Sequence, residues 1–447
     1  MMLKPFWQSG DPSPRPDLLL IGNSVRAAAF SAIRAGFHPF CLDQFGDRDL
    51  MQFTSVQKYN EISEISDYLN PSLPLPWIYT GGIENQLTWL NHFLEQHQNY
   101  PLWGNRPSTL KKVRSPKWLS KRLSEWLSEF LTQDRIRYPE THFSIPENYP
   151  KKKYLLKPFK SGGGNNIRFF QPEDIAHVSR ATFFEDYYLQ EYLKGELYSA
   201  QFISDARGAK LLGITQQLQG LQELRAKEFQ WCGNIGPITV SLSLTQALSK
   251  LANRLVQLAQ LRGIFGIDFI MHEQNAYLLE VNPRYTGALE LIEYAEKINT
   301  FSLLQQIFQP NNSSTYSLDI NDPKADHRIA KGILYARQDF RFPSYLEVPI
   351  QKQLSLQDVN LCPVLADIPA ENDQIGTGYP IMTIFAHAHQ KIEDLFWLEE
   401  LTKIRHPQTK PIYDLICQAI ENNEVVGNEL AQLKHFARAW ELLLYEA

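Results

Sequence analysis

The first clear pattern in the sequence is a series of short apolar runs separated by turn residues. Leu18–Ile21 is apolar throughout, Val25–Ala35 is rich in alanine, and Phe40–Leu42 is apolar again. Apolar runs of this length between turn residues are typical of buried strands. The alanine-rich segment has helical composition and is followed by Gly36, a common residue just past a helix. The order strand, helix, strand predicts a parallel sheet in this part of the chain.

Further patterns divide the rest of the chain. Pro116–Phe130 carries its apolar residues on one helical stripe, and Asn311–Asp326 is polar and is the strongest candidate for a linker. Beyond it, Ile329–Ala336 and Tyr379–Phe385 are apolar runs typical of strands, and helical periodicity follows, ending in an amphipathic segment at Gly427–Leu444. These patterns predict three domains. Their expected ranges are 1–112 for an α/β domain, 113–310 for a central domain and 327–447 for a mixed β and helical domain.

A glycine-rich loop joins two predicted strands in the middle of the chain. Lys157 lies on the first strand, Gly162, Gly163 and Gly164 form the loop, and a second predicted strand follows at Ile167–Phe170. Consecutive glycines let the backbone approach an anion, and the lysine adds a positive charge for a phosphate. A flexible hairpin is the alternative for this segment taken alone.

The segment Leu189–Glu196 leads into a predicted strand at Leu197–Ile203. A strand that runs into a linker offers backbone amides to a purine edge, and the carboxylate of Glu196 can accept hydrogen bonds from ribose hydroxyls. Taken alone, the segment favours the simpler interpretation, which is two solvated glutamates around a turn.

The segments Gly263–His272 and Ala276–Arg284 predict a β-hairpin whose turn is Glu273-Gln274-Asn275. With that turn, Ala276 pairs with His272. The same register sets Asp268 opposite Glu280 on the neighbouring strand.

The predicted hairpin brings several oxygen-bearing side chains to one face. Glu280 and Asn282 are two positions apart on a strand and therefore share a face with the facing Asp268. Two facing carboxylates repel each other unless a cation lies between them, and Mg²⁺ prefers oxygen ligands that it shares with phosphates. Arg284, two positions further along, can meet a phosphate or a developing anion. An exposed polar face on a sheet is the alternative.

Charge and composition narrow the classes of function. The chain has 44 Lys and Arg against 49 Asp and Glu, a formal net charge of -5, which argues against a basic face for nucleic acid. Its apolar runs are far shorter than the ~18 residues of a membrane helix. The scattered cysteines form no metal-binding or disulfide pattern; they are Cys41, Cys232, Cys362 and Cys417. We therefore expect a cytoplasmic protein with no nucleic-acid or membrane partner.

Together, the three segments resemble the ATP-grasp superfamily. Its pattern is a strand lysine before a flexible glycine-rich loop, then a Q-E-x-x-x-G-E hinge, then a D…E-x-N-P-R metal hairpin, and all three are present in this order. The hairpin is most similar to the carboxylate–amine ligases of the tyramine–glutamate ligase type. Ile329–Phe385 has a looser similarity to the carboxylase branch. The fold that the resemblance implies is α/β and α+β in several domains, with an ATP-grasp fold between a parallel-sheet domain and a smaller mixed C-terminal domain.

The resemblance also implies a role for each matching residue. Lys157 and Lys117 would hold the α- and β-phosphates of ATP, and Gly162, Gly163 and Gly164 would form a lid over them. The adenine would be read by Glu191 and by the backbone of Tyr192 and Leu193, and the ribose by Glu196. Asp268, Glu280 and Asn282 would bind one or two Mg²⁺, or Mn²⁺ in their place, while Arg284 and Lys157 would act on the transferred phosphoryl group.

The implied reaction joins a small-molecule carboxylate to an amine, or to a thiol, through an acyl phosphate, with ADP as product. A bicarbonate-activating carboxylase and a non-catalytic ATP-binding module are the alternatives. An NAD-binding role for the N-terminal unit is disfavoured because only Gly22 of a G-x-G-x-x-G pattern is present. A homodimer is the assembly that many members of the superfamily suggest.

The substrate is expected to contact the N-terminal domain, the segment Gln216–Pro237 and the C-terminal domain. Lys227, Trp231 and Asn234 are candidates for the acceptor side of the cleft. Arg26 could meet a substrate carboxylate, but its position at the start of a helix favours an ordinary surface arginine.

Overall fold

A computed structural model describes residues 15–70, 72–129, 136–146, 151–175, 180–309, 328–387 and 429–445. Its α-helices are α1 (Arg26–Arg34), α2 (Arg48–Phe53), α3 (Leu87–Gln96), α4 (Pro107–Val113), α5 (Pro116–Glu129), α6 (Arg180–Asp186), α7 (Leu242–Ala259), α8 (Gly287–Glu296), α9 (Thr300–Phe308), α10 (Glu347–Ser355) and α11 (Glu429–Tyr445). Short 3₁₀ turns are Ile62–Tyr68, Ile83–Asn85, Pro172–Ile175, Gln222–Leu224 and Ser344–Leu346.

The strands form a small N-terminal sheet, a long central sheet and two smaller sheets. They are β1 (Leu18–Gly22), β2 (Pro39–Asp43), β3 (Ser55–Lys58), β4 (Trp77–Tyr79), β5 (Ile136–Arg137), β6 (Thr141–His142), β7 (Tyr154–Pro158), β8 (Arg168–Phe169), β9 (Tyr187–Glu191), β10 (Glu196–Ser204), β11 (Ala209–Gln219), β12 (Trp231–Gly236), β13 (Gly263–His272), β14 (Asn275–Asn282), β15 (Ile329–Tyr335), β16 (Phe340–Arg341), β17 (Leu365–Ala366), β18 (Gln374–Ile375) and β19 (Pro380–His387).

The N-terminal sheet is parallel, with the strand order β3-β2-β1-β4. The sequence-based prediction of strand, helix and strand is confirmed, because β1, α1 and β2 follow one another and β1 pairs with β2 in parallel. Strands β1 and β2 are buried along their whole length, as expected for a parallel sheet. Asp43, at the end of β2, accepts hydrogen bonds from the backbone N–H groups of Val25, Phe45 and Gly46 and so fixes the loops at this edge.

The central sheet has the order β17-β19-β15-β12-β11-β10-β13-β14-β5. Helices cover both faces of this sheet, as two neighbouring residues of β10 show. Phe202 packs in the core that α7 completes, whereas Ile203 packs with α1, α8 and α9. Helices α8 and α9 therefore connect the central sheet to the N-terminal sheet. A separate four-stranded sheet, in the order β6-β9-β7-β8, carries the lysine strand and the strand after the glycine-rich loop.

The predicted strands after the linker are confirmed as β15 and β19, which pair with each other and extend the central sheet through β12. Phe436 and Trp440 of α11 are buried in the core beneath these strands. The predicted linker and most of the predicted C-terminal helical region lie outside the described residues. The predicted class, α/β and α+β, is confirmed, while the domain boundaries stay predictions. In the part of the chain that the structure describes, no helix has the length and apolar character to cross a membrane.

Candidate active site

Strands β13 and β14 form the predicted hairpin, but with a shorter turn. Asn275 pairs with His272, and Ala276 pairs with Met271, so the predicted pairing of Ala276 with His272 is wrong. The turn contains only Glu273, in the left-handed region at φ 55°, and Gln274. A bulge between Asp268 and Phe269 restores the register. Asp268 consequently lies opposite Glu280, as predicted.

The carboxylates of Asp268 and Glu280 are linked through the amide of Asn282. The Nδ2 atom of Asn282 lies 2.9 Å from Asp268 Oδ2 and 3.1 Å from Glu280 Oε1. Ser199 Oγ also donates to Asp268. Burial and the neighbouring Glu280 raise the pKa of Asp268 well above that of an ordinary aspartate. The side chain of Glu280 is exposed to the cleft, and although the surrounding protein atoms disfavour its charge, the nearby cations Arg114 and Lys157 hold its pKa below the usual value.

This arrangement fits a divalent cation. The N–H group of Asn282 occupies the place between two carboxylates, and rotation of the amide would present its oxygen there instead. Within the described ranges, no group of three or more His, Cys, Asp or Glu side chains could hold a metal. Two carboxylates and one amide are nevertheless the partial oxygen set that Mg²⁺ completes with phosphates and water.

Lys157 lies beside this hairpin. Its Nζ donates to Gln190 Oε1 at 2.9 Å, and Gln190 in turn donates to Thr141 Oγ1 at 3.3 Å. Burial lowers the pKa of Lys157, although the carboxylates of Glu280 and Asp268 act in the opposite direction. The lysine is therefore held by a neutral partner, and its charge is available to an anion in the cleft.

The glycine-rich loop is anchored at its C-terminal half. Trp231 N donates to Gly163 O at 2.9 Å. Gly164 has φ +75°, and a Cβ atom at this position would come within 1.8 Å of Phe229 O. A Cβ on Gly162 would meet no atom within 4 Å. The loop therefore needs glycine at position 164 for a close backbone approach, whereas position 162 is open.

Two arginines join the loop and the hairpin to the N-terminal sheet. Arg284 Nε lies 2.6 Å from Glu84 Oε1, and Arg114 Nη1 lies 3.0 Å from the same oxygen. Arg114 Nη2 also donates to Ser161 O, next to the glycine-rich loop, at 3.1 Å. Because these cations outweigh the effect of burial, the pKa of Glu84 is lowered and its charge is retained. Sequence reasoning missed both Glu84 and Arg114.

Two adjoining cavities meet at this point. The smaller, about 180 Å³, is lined by many of the predicted residues. These are Lys157, Gly162, Gly163, Gly164, Asp268, Glu280, Asn282 and Arg284. The larger, about 820 Å³, shares Gly162, Gly163, Trp231 and Arg284 with it and extends to the N-terminal sheet and the C-terminal strands.

Other predicted residues lie away from these walls. Lys117 is exposed, with its Nζ 4.9 Å from the centre of the Phe143 ring. Glu191 ends β9 and pairs with Lys152, and Glu196 begins β10 and accepts from Tyr198. Tyr192 and Leu193 lie between those strands and, like these glutamates, line neither cavity. Their proposed roles stay predictions.

Of the three residues predicted for the acceptor side of the cleft, two line a cavity and one does not. Trp231 lines both cavities, and Asn234 lines the smaller one, where it accepts a hydrogen bond from Trp231 Nε1 at 2.9 Å. Lys227 is exposed and lines neither cavity.

The surface interpretation of Arg26 is wrong, because its side chain is fully buried. Its Nε donates to Asp367 Oδ1 at 2.9 Å, and its Nη1 and Nη2 donate to the carboxylate of Glu290. Lys331 Nζ lies 2.6 Å from the same glutamate. Since its donors are taken by these carboxylates, Arg26 joins three parts of the chain and is not free for a substrate carboxylate.

Comparison with known proteins finds a family match and several relatives of low sequence identity. Residues 125–288 match the family model of the ATP-grasp domain. An uncharacterized protein of Methanocaldococcus jannaschii is 22% identical over 400 residues, which are 83% of this chain and 88% of that protein. Tyramine–L-glutamate ligase of the same organism is 23% identical over 204 residues, 45% of this chain and 54% of the ligase.

The fold is also shared with a solved structure. The biotin carboxylase of Campylobacter jejuni superposes with a TM-score of 0.59 at 13% identity, covering 94% of this chain and 99% of the carboxylase chain. At that identity the likeness concerns the fold alone. Residues 125–288 therefore match an ATP-grasp domain, and the chain is similar in sequence to a tyramine–L-glutamate ligase and in fold to a biotin carboxylase.

Proposed function

We propose that this protein is an Mg-ATP-dependent ligase that activates a carboxylate as an acyl phosphate and transfers the acyl group to an amine. The proposal rests on the wall of the smaller cavity. There Asp268, Glu280 and Asn282 lie with Lys157 next to the glycine-rich loop. ATP-grasp enzymes in general use ATP with Mg²⁺ or Mn²⁺. The ligase named among the relatives joins an amine to an amino acid.

The residues have distinct parts in the proposed reaction. A metal held by Asp268, Glu280 and Asn282 would offset negative charge on the phosphate oxygens. Lys157 would bind the phosphates from the opposite side, and the loop around Gly164 would exclude water.

The two steps of the proposed reaction need no nucleophile from the protein. A carboxylate oxygen of the substrate attacks the γ-phosphorus, the bond to the β-phosphate oxygen breaks, and ADP leaves. A neutral amine then attacks the acyl carbon, the bond to phosphate breaks, and the displaced proton leaves with the phosphate. Arg284 would steady the oxyanion that develops in this second step.

The larger cavity favours organic substrates over bicarbonate. Its volume of about 820 Å³ is in the range of sites that enclose small organic ligands, and it opens directly onto Arg284. Bicarbonate would fill only a small part of that space. A carboxylase that uses bicarbonate alone is therefore the weaker alternative.

The proposal is tested by ADP and phosphate release with Mg-ATP across a panel of carboxylates, each with and without a panel of amines. We expect release that requires both a carboxylate and an amine, with one amide formed per ADP. The Glu280→Ala variant serves as the blank. Release supported by bicarbonate alone would favour the carboxylase, and absence of Mg-ATP binding would overturn the proposal.

Replacement of Gly164 is expected to weaken ATP binding by about tenfold or more. An alanine there would meet Phe229 O and adopt a backbone conformation that costs roughly 1–2 kcal/mol, which corresponds to about one decade in affinity. The measurement is a nucleotide titration of Gly164→Ala in the presence of Mg²⁺. Gly162→Ala is the matched control, because that position is open and has no left-handed backbone. Equal losses in the two variants would contradict the anchoring role.

A further inference from the structure

The larger cavity lies at the carboxyl edge of the N-terminal sheet. The loops after β1 and β4 contribute Asn23, Ser24, Thr80, Gly81 and Glu84 to its wall, and the loop after β2 contributes Asp47. The sheet has the order β3-β2-β1-β4. The chain passes from β1 to β2 and β3 on one side of β1, and then returns to form β4 on the other side of β1, so the direction in which strands are added reverses at β1. Ligands of parallel sheets bind in the crevice at such a reversal.

Two side chains that line this cavity each have one buried carboxylate oxygen without a hydrogen-bond partner. These oxygens are Asp47 Oδ2 and Glu84 Oε2, and they are the unpartnered buried side-chain atoms among the described residues that line the cavity. Asp47 is only 6% exposed and Glu84 only 2%. Buried acceptors without partners are costly, so a hydrogen-bond donor or cation beside either carboxylate would be stabilising.

No structural role among the described residues explains why the Asp47 side chain is buried. It precedes α2 at the position where an aspartate usually caps the helix, yet its side chain makes no capping hydrogen bond. Asp367, Asp49 and Asp43 add repulsion to the effect of burial and raise its pKa well above the usual value. The nearby cation, Arg26, acts in the opposite direction but is already bonded to Glu290 and Asp367.

Glu84 lies in a different part of the same wall. Its other oxygen, Oε1, accepts from Arg284 and Arg114, so this carboxylate is charge-balanced and close to the proposed reaction centre. The reacting amine of the acceptor would lie at this end of the cavity, beside Arg284. Asp47 has three aspartates nearby, against which Arg26 is the opposing charge, so it would favour a ligand with a full positive charge.

The cavity that both carboxylates line is partly apolar. Ala27, Ala28, Ile333 and Met382 line it, and two exposed aromatic side chains lie in its wall, Phe45 at 37% and Tyr379 at 63% exposure. The cavity can therefore hold a ligand that combines a hydrocarbon body with a hydrogen-bond donor and a cation.

We propose that Asp47 is the counter-ion for a protonated primary amine of the acceptor substrate, at the end of the acceptor remote from the amine that reacts. The acceptor is thus a diamine or a diamino compound with a short hydrocarbon body. This identification of the substrate rests on the proposed ligase function. The ammonium at Asp47 takes no part in bond formation, and the neutral amine at the Glu84 end forms the amide.

The site is tested without ATP by calorimetric titration of n-alkylamines with three to seven carbons, each against the alcohol of equal length. Wild type is expected to bind the best amine about 10- to 100-fold more tightly than its alcohol, because a charge-assisted hydrogen bond replaces a neutral one. Asp47→Asn should abolish this preference. Asp373→Asn is the matched control, since Asp373 lines the same cavity but accepts from the backbone of its own turn. No preference for amines in wild type, or an equal preference in Asp47→Asn, would overturn the proposal.

Thermal unfolding provides a second measurement on the same variants. Asp47→Asn is expected to be at least as stable as wild type without amine, because it removes an uncompensated buried carboxylate. The alkylamine should raise the Tm of wild type and of Asp373→Asn but not of Asp47→Asn. An Asp47→Asn variant that is less stable than wild type would show that Asp47 has a partner within the protein, and would overturn the proposal.

Turnover separates this inference from the proposed function. With Mg-ATP and the active carboxylate, diaminoalkanes are expected to have a kcat/KM about 10- to 100-fold above that of amino alcohols of equal length, which keep the reacting amine. That ratio should fall to about 1 in Asp47→Asn. A ratio near 1 in wild type would overturn the ammonium site while leaving the ligase intact. Absence of turnover with every pair would overturn the ligase, and the titrations would still decide the site.

Discussion

Replacing Glu280 with glutamine is expected to lower the rate of ADP release by about 100- to 1,000-fold, since a metal contributes several kcal/mol to the transition state. The change removes one of two facing carboxylates and keeps nearly the same shape. Asp268 would then be the single anionic ligand of the hairpin, with Asn282 as a neutral partner. The measurement is initial rates at saturating ATP over a range of Mg²⁺ concentrations.

The control for this prediction lies on the same hairpin. Glu273 is an exposed glutamate of the two-residue turn, at the opposite end of the strands from Asp268 and Glu280. Glu273→Gln should leave the rate and the Mg²⁺ requirement within about twofold of wild type, as is usual for exposed substitutions away from a site. If Glu280→Gln retained most of the activity at ordinary Mg²⁺ concentrations, the hairpin would not be the metal site.

The second large effect is on stability, where Arg26→Met is expected to reduce the free energy of unfolding by about 3–5 kcal/mol. The reason is less the lost attraction than the charges left behind. The fully buried Glu290 and the partly buried Asp367 would remain without their shared guanidinium, and only Lys331 would still compensate Glu290. Chemical denaturation of the purified variant at neutral pH measures the change.

An exposed arginine on another helix provides the comparison. Arg122 pairs with Glu125 on α5, and both side chains are nearly half exposed. Arg122→Met should therefore cost less than about 1 kcal/mol, as solvated ion pairs usually do. A loss for Arg26→Met no greater than this would show that the buried network contributes little to holding the three parts of the chain together.

Local patterns in the sequence predicted the elements well where neighbouring residues determine them. The apolar runs of β1 and β2 and the helix between them required no information from elsewhere. The alternation along β14 correctly put Glu280 and Asn282 on one face, and the pairing of Glu280 with Asp268 was correct even though the turn was not. The error arose because a shorter turn and a bulge shift the register in opposite directions, and no residue pattern marked the bulge.

Residues whose partners lie far along the chain were missed or misjudged. Arg26 looks like a surface residue near the start of a helix until Glu290 and Asp367, 264 and 341 positions later, are brought to it. Glu84 likewise meets Arg284 across 200 positions. No local periodicity encodes such contacts, because they depend on how the sheets pack. The roles of Lys117 and of the hinge at Glu191 depend on resemblance and stay predictions.

The ion network around Arg26 also has a consequence for the order in which the protein is made. Ribosomes add about 5–20 residues per second, so Asp367 appears tens of seconds after Arg26 has been synthesised. During that interval α1 has neither of the carboxylates that later accept from Arg26, and the wall that Asp367 and Thr383 give to the larger cavity does not yet exist. The nascent protein consequently acquires its proposed acceptor site only when its last strands join the central sheet.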